Sequence, residues 1–165
     1  MPAPIDLQKA VRSSIQTEKN AMDFYKAGAE RLRNAAAKKV FELLAKEERE
    51  HAGWFYSIYR GEEIPSLDAF LDAPPEKGAP WIAELEELGV AEFDERKAME
   101  LAMDKEKELE RALREMAAKI DDPQVKKVYE ENAQGTHNHF ILIESEYARL
   151  MGMVHETDID TFVRE

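Results

Sequence analysis

Apolar residues recur at alternating steps of three and four through residues 11–58, which is the spacing of a buried helix face. Asp6 precedes the first stripe as a helix N-cap, a tight turn near Asn34 follows it, and Gly61 follows the second stripe as a helix-stop signal. The pattern predicts two long helices joined as a hairpin. The first stripe contains Val11, Ile15, Met22, Tyr25, Ala29 and Leu32, and the second contains Ala37, Phe41, Leu44, Phe55 and Ile58.

A second pair of stripes predicts two more long helices in the C-terminal half of the chain. Asp122 and Pro123 open the last helix as N-cap and first helical residue, and Gly152 closes it. Between the two pairs, residues 61–91 are rich in Pro and Gly and contain one short predicted helix, "WIAELEELG". No segment has the pattern of a strand. The third stripe contains Met99, Met103, Leu113, Ala117 and Ile120, and the fourth contains Val125, Tyr129, Ile143, Tyr147 and Leu150.

The two halves of the chain are related by an internal repeat. When the two halves are aligned with a shift of 88 residues, many positions carry the same residue in both halves. The matched pairs include Asp6 and Asp94, Glu18 and Glu106, Lys19 and Lys107, Val40 and Val128, and His51 and His139. We therefore predict an all-α fold in which two related helical hairpins form a four-helix bundle with a pseudo-two-fold axis.

The segment that joins the hairpins is long enough to cross the bundle. A helix of about 26 residues is about 39 Å long, whereas thirty extended residues reach about 100 Å. One long crossover between the second and third long helices is the expected topology. We assign residues 1–151 to a single domain, with residues 61–91 as its crossover, and leave residues 152–165 as a C-terminal tail of unknown role.

Composition narrows the class of protein and its partners. Apolar residues make up 44% of the 165, enough to fill one core, and the formal net charge of −12 argues against nucleic acid or an anionic membrane as a partner. The absence of cysteine excludes disulfides, thiolate metal sites and thiol nucleophiles. With no apolar run of signal-peptide or membrane-span length, we expect a soluble cytoplasmic protein.

Polar residues fill the gaps in the four apolar stripes. Counted from the hairpin turns, all of them except Asn132 lie within about one helical turn of the same height, in the middle of the bundle. These residues are Glu18, Glu48, His51, Glu106, Asn132, Thr136 and His139. Three carboxylates and two imidazoles at one level are costly to bury without a cation, and this donor set suits iron, manganese or zinc. The alternative is a set of core polar residues that satisfy one another.

The sequence resembles the rubrerythrin and ferritin-like di-iron proteins over residues 6–151. The resemblance lies in "QTEKNAMDFY", "LLAKEEREHAGWF", "LAMDKEKELE" and "HFILIESEY", one segment from each long helix. It implies a ferritin-like bundle that binds two irons. Glu18 and Glu106 would be terminal ligands, Glu48 a bridging ligand, and His51 and His139 one imidazole for each metal.

The sequence departs from the family pattern at two ligand positions. The last helix of such proteins carries Glu-x-x-His, and Thr136 stands at the Glu position; rubrerythrins also have a carboxylate where this chain has Leu109. A rubredoxin domain is excluded by the absence of cysteine. Three carboxylates leave two divalent cations with a surplus of one positive charge. We therefore expect an asymmetric site that holds two ions, or one if the Thr136 position weakens it.

Three neighbours of the cluster are candidates to support or replace a ligand. Glu110, one turn beyond Glu106, could move toward the metal, and Thr136 could hold a water molecule. His137 is offset from the apolar stripe, so we expect it beside the ligands or in solvent. His155, in the tail, is expected to have no role at the site. Trp54 and Trp81 are expected in the core or at an interface.

The resemblance implies an oxidoreductase that reduces peroxide or dioxygen with electrons from an external donor, and a homodimer. The main alternative is a non-catalytic metal-binding or interaction module whose di-iron site has decayed. A third interpretation, iron storage in a ferritin-like shell, rests on the fold alone.

Overall fold

The computed structural model describes residues 6–76, 79–87 and 95–152, and these form helices and connecting turns with no strand. The predicted all-α, ferritin-like fold is confirmed. None of the described helices is both long and apolar enough to cross a membrane. The tail beyond residue 152, including His155, lies outside the described residues. The helices are α1 (Leu7–Arg31), α2 (Ala35–Ser57), α3 (Leu67–Asp72), α4 (Pro80–Glu86), α5 (Glu95–Lys119) and α6 (Pro123–Leu150).

Two helix starts follow directly from the predicted N-caps Asp6 and Asp122, and Asn34, predicted only as the site of a turn, caps a third. Asp6 accepts a hydrogen bond from the backbone N–H of Lys9, and Asn34 accepts one from Ala37, at 3.1 and 3.0 Å. Asp122 accepts hydrogen bonds from the first two N–H groups that follow Pro123 at the start of α6. Each cap satisfies backbone donors that have no partner within the helix, which contributes about 1 kcal/mol per helix.

Two features of the crossover differ from the prediction. Helix α2 ends at Ser57 rather than near Gly61, and a Cβ on Gly61 would lie 2.5 Å from the hydroxyl oxygen of Tyr59. Glycine is therefore needed at position 61 because the Tyr59 ring lies close to it, and not because it ends a helix. Helix α3 was not predicted, although Ser66 caps it by accepting from the N–H of Ala69. Six residues are too few to show a periodic stripe.

The described residues on either side of the crossover lie at opposite ends of the bundle, as expected for one long crossover. At its start, Gln8 on α1 contacts the carbonyl of Ile58 and accepts a hydrogen bond from the N–H of Arg60. After its far end, the carboxylate of Glu95 at the start of α5 accepts hydrogen bonds from the backbone N–H groups of Arg33 and Asn34 in the α1–α2 turn, at 3.0 and 2.9 Å. Helix α5 therefore starts at the turn end of the first hairpin and runs antiparallel to α1.

A buried lysine and a buried tryptophan attach the crossover to α1. Lys19 is 3% exposed, and its ammonium donates to the Asp23 carboxylate at 2.7 Å and to the carbonyl of Ala73 at 2.9 Å. The predicted burial of Trp81 is confirmed, and its ring packs at 5.2 Å against that of Phe24. The described residues of the connection around Ala73 and Trp81 are therefore attached to α1.

Aromatic clusters fill the core on both sides of its middle. Toward the α1–α2 turn, the rings of Tyr25 and Phe41 pack edge to face at 5.1 Å, and toward the opposite end Phe55 and Tyr129 pack at 4.9 Å. Each of these side chains is at most 1% exposed, and burial of one contributes about 1.5–3 kcal/mol. The polar residues of the stripes lie between these two apolar clusters.

Candidate metal centre

The five predicted ligands meet in the middle of the bundle. Glu18 comes from α1, Glu48 and His51 from α2, Glu106 from α5, and His139 from α6, and none is more than 3% exposed. The three-residue step between Glu48 and His51 places both side chains on one face of α2. All four long helices therefore contribute to one buried cluster.

The Glu48 carboxylate lies at the centre of this cluster. Its Oε1 atom is 2.8 Å from Nδ1 of His139 and 3.5 Å from Nδ1 of His51. Glu106 Oε1 lies 3.8 Å from Nδ1 of His139, and Glu18 Oε2 lies 3.9 Å from Nδ1 of His51. Each imidazole thus has one outer carboxylate of its own and shares Glu48 with the other.

Most of the inward-facing atoms of the cluster have no hydrogen-bond partner. They are both oxygens of Glu18, Oε2 of Glu48, Oε2 of Glu106 and Nδ1 of His51, whereas Oε1 of Glu48 and Nδ1 of His139 have only each other, at 2.8 Å. More than nine in ten buried polar groups in proteins are hydrogen-bonded, so this concentration needs a cause. A set of core polar residues that satisfy one another's hydrogen bonds would not leave so many buried atoms without a partner. The carboxylate and imidazole donors fit a borderline cation such as ferrous iron, manganese or zinc.

Glu47 fixes the orientation of the His139 ring. Its Oε1 atom lies 2.9 Å from Nε2 of His139, on the side of the ring away from the cluster. If Nε2 donates its proton to this carboxylate, Nδ1 of the neutral ring presents a lone pair toward Glu48. Sequence reasoning missed Glu47, because a residue in the acidic run "KEERE" is typical of a solvated helix face and this one is partly exposed.

The His51 ring is held in place by two stacked rings and by a glycine at its edge. It stacks at 4.8 Å on the ring of His139 and at 4.8 Å on that of Trp54. Its edge lies against Gly135 of α6, where a Cβ would be 2.8 Å from Nε2. Sequence reasoning missed Gly135, although an isolated glycine inside a helix often marks a packing or functional constraint. Trp54 is 42% exposed and covers His51, so it is not the core residue that we considered.

Tyr25 connects the cluster to the apolar core beside it. Its hydroxyl donates a hydrogen bond of 2.6 Å to Oε1 of Glu106, and burial together with the charge of this carboxylate raises the pKa of Tyr25 well above its ordinary value. The apolar stripe predicted its burial but gave no sign of the hydrogen bond. Glu106 is thereby positioned with its second oxygen free of protein partners.

Helix α6 contributes no carboxylate at the position of Thr136. This side chain is fully buried, and its hydroxyl donates 2.8 Å to the carbonyl of Asn132 one turn earlier. The Asn132 amide nitrogen donates to the carbonyl of Val128, and its Oδ1 atom has no partner. At Asn132 and Thr136 the α6 wall of the cluster is thus polar but uncharged.

Glu110 and His137 lie outside the cluster. Glu110 accepts from Arg114 at 2.7 Å and lies 2.9 Å from Nδ1 of His137. Although partial burial acts to raise the pKa of Glu110, these two partners lower it overall. His137 is 43% exposed, as the offset from the stripe predicted. The two residues form a pair at the surface, and Glu110 would have to leave both of its partners to reach the metal position.

Burial and mutual repulsion set the protonation of the cluster when no cation is bound. Burial, with the charge of Glu48, raises the pKa of Glu18 well above its usual range and that of Glu106 to about 7. Burial lowers the pKa of His51. Burial alone would also lower the pKa of His139, but Glu106 and Glu48 beside it raise the value to about 11. A cation would therefore replace protons on Glu18, Glu106 and His139.

Comparison with known proteins gives a match over most of the chain. The family model described as Rubrerythrin matches residues 9–147, which include all five residues of the cluster. No curated protein and no solved structure matches the chain. The match covers both hairpins and the crossover between them.

The contact between Gly135 and His51 predicts different effects for two glycine substitutions. Gly135→Ala would push the His51 ring from its place, so we expect metal affinity to fall at least tenfold. Gly53→Ala is the matched control, because a Cβ there meets no atom within 4 Å. It should leave metal affinity unchanged and raise the free energy of unfolding by up to about 1 kcal/mol. Competition titration with a coloured chelator measures affinity, and equal affinities in the two variants would contradict this role of Gly135.

Proposed function

Because the chain belongs to the rubrerythrin family, we propose that it is an iron-dependent oxidoreductase that reduces peroxide or dioxygen. The reaction takes place at the buried Glu/His cluster, and the electrons come from a separate one-electron carrier. The observation that supports this proposal most directly is the convergence of carboxylate oxygens and imidazole nitrogens that lack protein partners. The donor set also accommodates manganese or zinc.

Glu48 is shared by two metal positions, one beside His139 and Glu106 and the other beside His51 and Glu18. One oxygen of Glu48 and one ring nitrogen of each histidine lie within 4.8 Å of one another. The two rings are stacked at an angle of 6°, so their in-plane lone pairs cannot meet at the same ion. Ligand bonds of about 2.0–2.2 Å require the ligand atoms of one ion to be no more than about 4.4 Å apart, and Glu48 lies within this range of each histidine. When bound, the metal supplies a Lewis acid and a one-electron redox couple.

Charge balance favours a second metal position that is weaker than the first. Glu18, Glu48 and Glu106 provide three negative charges, whereas two divalent cations bring four positive ones. Thr136, whose hydroxyl already donates to the helix backbone, adds no charge on α6. We therefore propose an asymmetric centre with one firmly held ion and a second that needs an additional anion.

The surrounding residues orient the ligands and limit access of water. Glu47 holds the His139 ring in one tautomer, and Tyr25 holds one oxygen of Glu106 while leaving the other free. Trp54 covers the outer face of His51. These contacts preorganise the cluster, so that little rearrangement is needed when the substrate arrives.

A non-catalytic module remains the second candidate, and the uncharged α6 wall at Thr136 is the observation that favours it. In that case the protein would bind a metal ion without turning over. The homodimer, the external electron donor and the cytoplasmic location stay predictions.

Peroxide kinetics separate the two candidates. We expect the protein loaded anaerobically with ferrous iron to oxidise rapidly when hydrogen peroxide is added, with a change in the optical spectrum followed by stopped flow. Glu48→Gln should slow this oxidation at least tenfold, because it removes the shared carboxylate. Glu110→Gln, outside the cluster, should leave it within about twofold. Firmly bound iron that fails to respond to peroxide would favour the non-catalytic module.

Replacement of Thr136 tests the charge argument. Thr136→Glu supplies a fourth carboxylate, and we expect the second ferrous ion to bind at least tenfold more tightly than in the unchanged protein. Thr136→Gln has the same length without the charge, so it should not produce this gain. Metal content after dialysis against a range of free ferrous iron measures both effects. An unchanged stoichiometry in Thr136→Glu would contradict the asymmetric centre.

A further inference from the structure

A cavity of about 430 Å³ lies between α1 and α5, in the half of the bundle away from the α1–α2 turn. Its outer end is lined by Asp6 and Lys9, which are both exposed. Glu18, a member of the metal cluster, also lines it and is only 1% exposed. The cavity therefore leads from the surface to the α1 wall of the metal centre.

The walls of this cavity are mainly apolar. They are formed by Leu109, Leu113 and Met116 of α5 and by Ala10 of α1. Leu109, three residues after Glu106, stands at the end of the cavity nearest the cluster. Small organic ligands bind in pockets of about 300–1,000 Å³ with mainly apolar walls.

Polar residues also line the cavity, among them Ser13 and Thr17 of α1. The hydroxyls of Ser14 and Tyr129 are hydrogen-bonded to each other at 2.9 Å and both residues line the cavity. The carboxylate oxygens of Glu18 have no hydrogen-bond partner and are closed to water. A ligand with an apolar body and one small polar group would match this arrangement, with its polar group toward Glu18.

We propose that the cavity binds the organic part of an alkyl or aryl hydroperoxide. Its peroxide group lies at the Glu18 side chain and reaches the metal centre when this carboxylate, whose oxygens are closed to the cavity in the structure, moves aside. This inference rests on the proposed function and specifies its substrate class. Reduction cleaves the O–O bond with two electrons and two protons and gives an alcohol and water. The electrons come from the external one-electron carrier, in two transfers. Hydrogen peroxide, which has no organic part, would gain nothing from the cavity.

Binding of an unreactive analogue tests the cavity without any turnover. The probe is 2-phenyl-2-propanol, the alcohol formed from cumene hydroperoxide, added to the zinc-loaded protein and followed by NMR. We expect saturable shifts centred on Leu113 and Met116. Ala112→Phe places a ring in the cavity lining and should weaken binding at least tenfold. Ala118→Phe, at another exposed alanine of α5 that does not line the cavity, is the matched control and should bind within about twofold of the unchanged protein.

Kinetics of the iron-loaded protein provide the second readout. Ala112→Phe should lower kcat/KM for cumene hydroperoxide at least tenfold and leave that for hydrogen peroxide within about twofold. Equal losses of kcat/KM for both peroxides would overturn the proposal. So would failure of the alcohol to bind because a second copy of the chain covers the cavity.

Failure of the cavity and failure of the proposed function give different results. Reduction of hydrogen peroxide without alcohol binding would overturn the organic subsite and retain the oxidoreductase. Alcohol binding at Leu113 and Met116 without reduction of either peroxide would support the organic subsite and overturn the oxidoreductase.

Discussion

Burial of ionisable groups in the middle of a helical bundle is the constraint on which the rest of this structure depends. Glu18, Glu48 and Glu106 are each at most 1% exposed, and an isolated charge in such a place costs several kcal/mol. Apolar packing of the four long helices and of the described part of the crossover, on both sides of the cluster, offsets this cost. Without a cation, protons reduce the cost; with a cation, the same carboxylates become ligands.

The cluster is symmetric in its outer glutamates and histidines and asymmetric in its shared carboxylate and its surroundings. The internal repeat gives each hairpin one outer glutamate and one histidine, yet only α2 provides the shared carboxylate, Glu48, and α6 has Thr136 instead. The two histidines also differ. Glu47 holds His139 through a hydrogen bond, whereas His51 is held by stacking and by the absence of a side chain at Gly135. These differences indicate two metal positions of unequal strength.

The amino-acid sequence predicted the long helices and the five cluster residues because both follow from a helical period of 3.6. It did not predict the contacts of Glu47, Tyr25 and Gly135 with the cluster, because each depends on how a side chain of one helix meets another helix. Helix α3 was too short for a periodic pattern. The cavity beside Glu18 depends on the packing of α1 against α5, and no local pattern records such a gap.

The most direct test of the central claim is the effect of ferrous iron on the thermal unfolding of the protein between pH 5 and pH 8, measured anaerobically. The raised pKa of Glu106, about 7, means that the folded metal-free protein holds this proton and loses stability as the pH rises from about 4.5 to about 7. Protons and iron compete for the same atoms, so the increase in Tm on adding iron should be small near pH 5 and grow steadily toward pH 8. An increase that is absent, or that does not depend on pH, would contradict a cluster built to bind a cation.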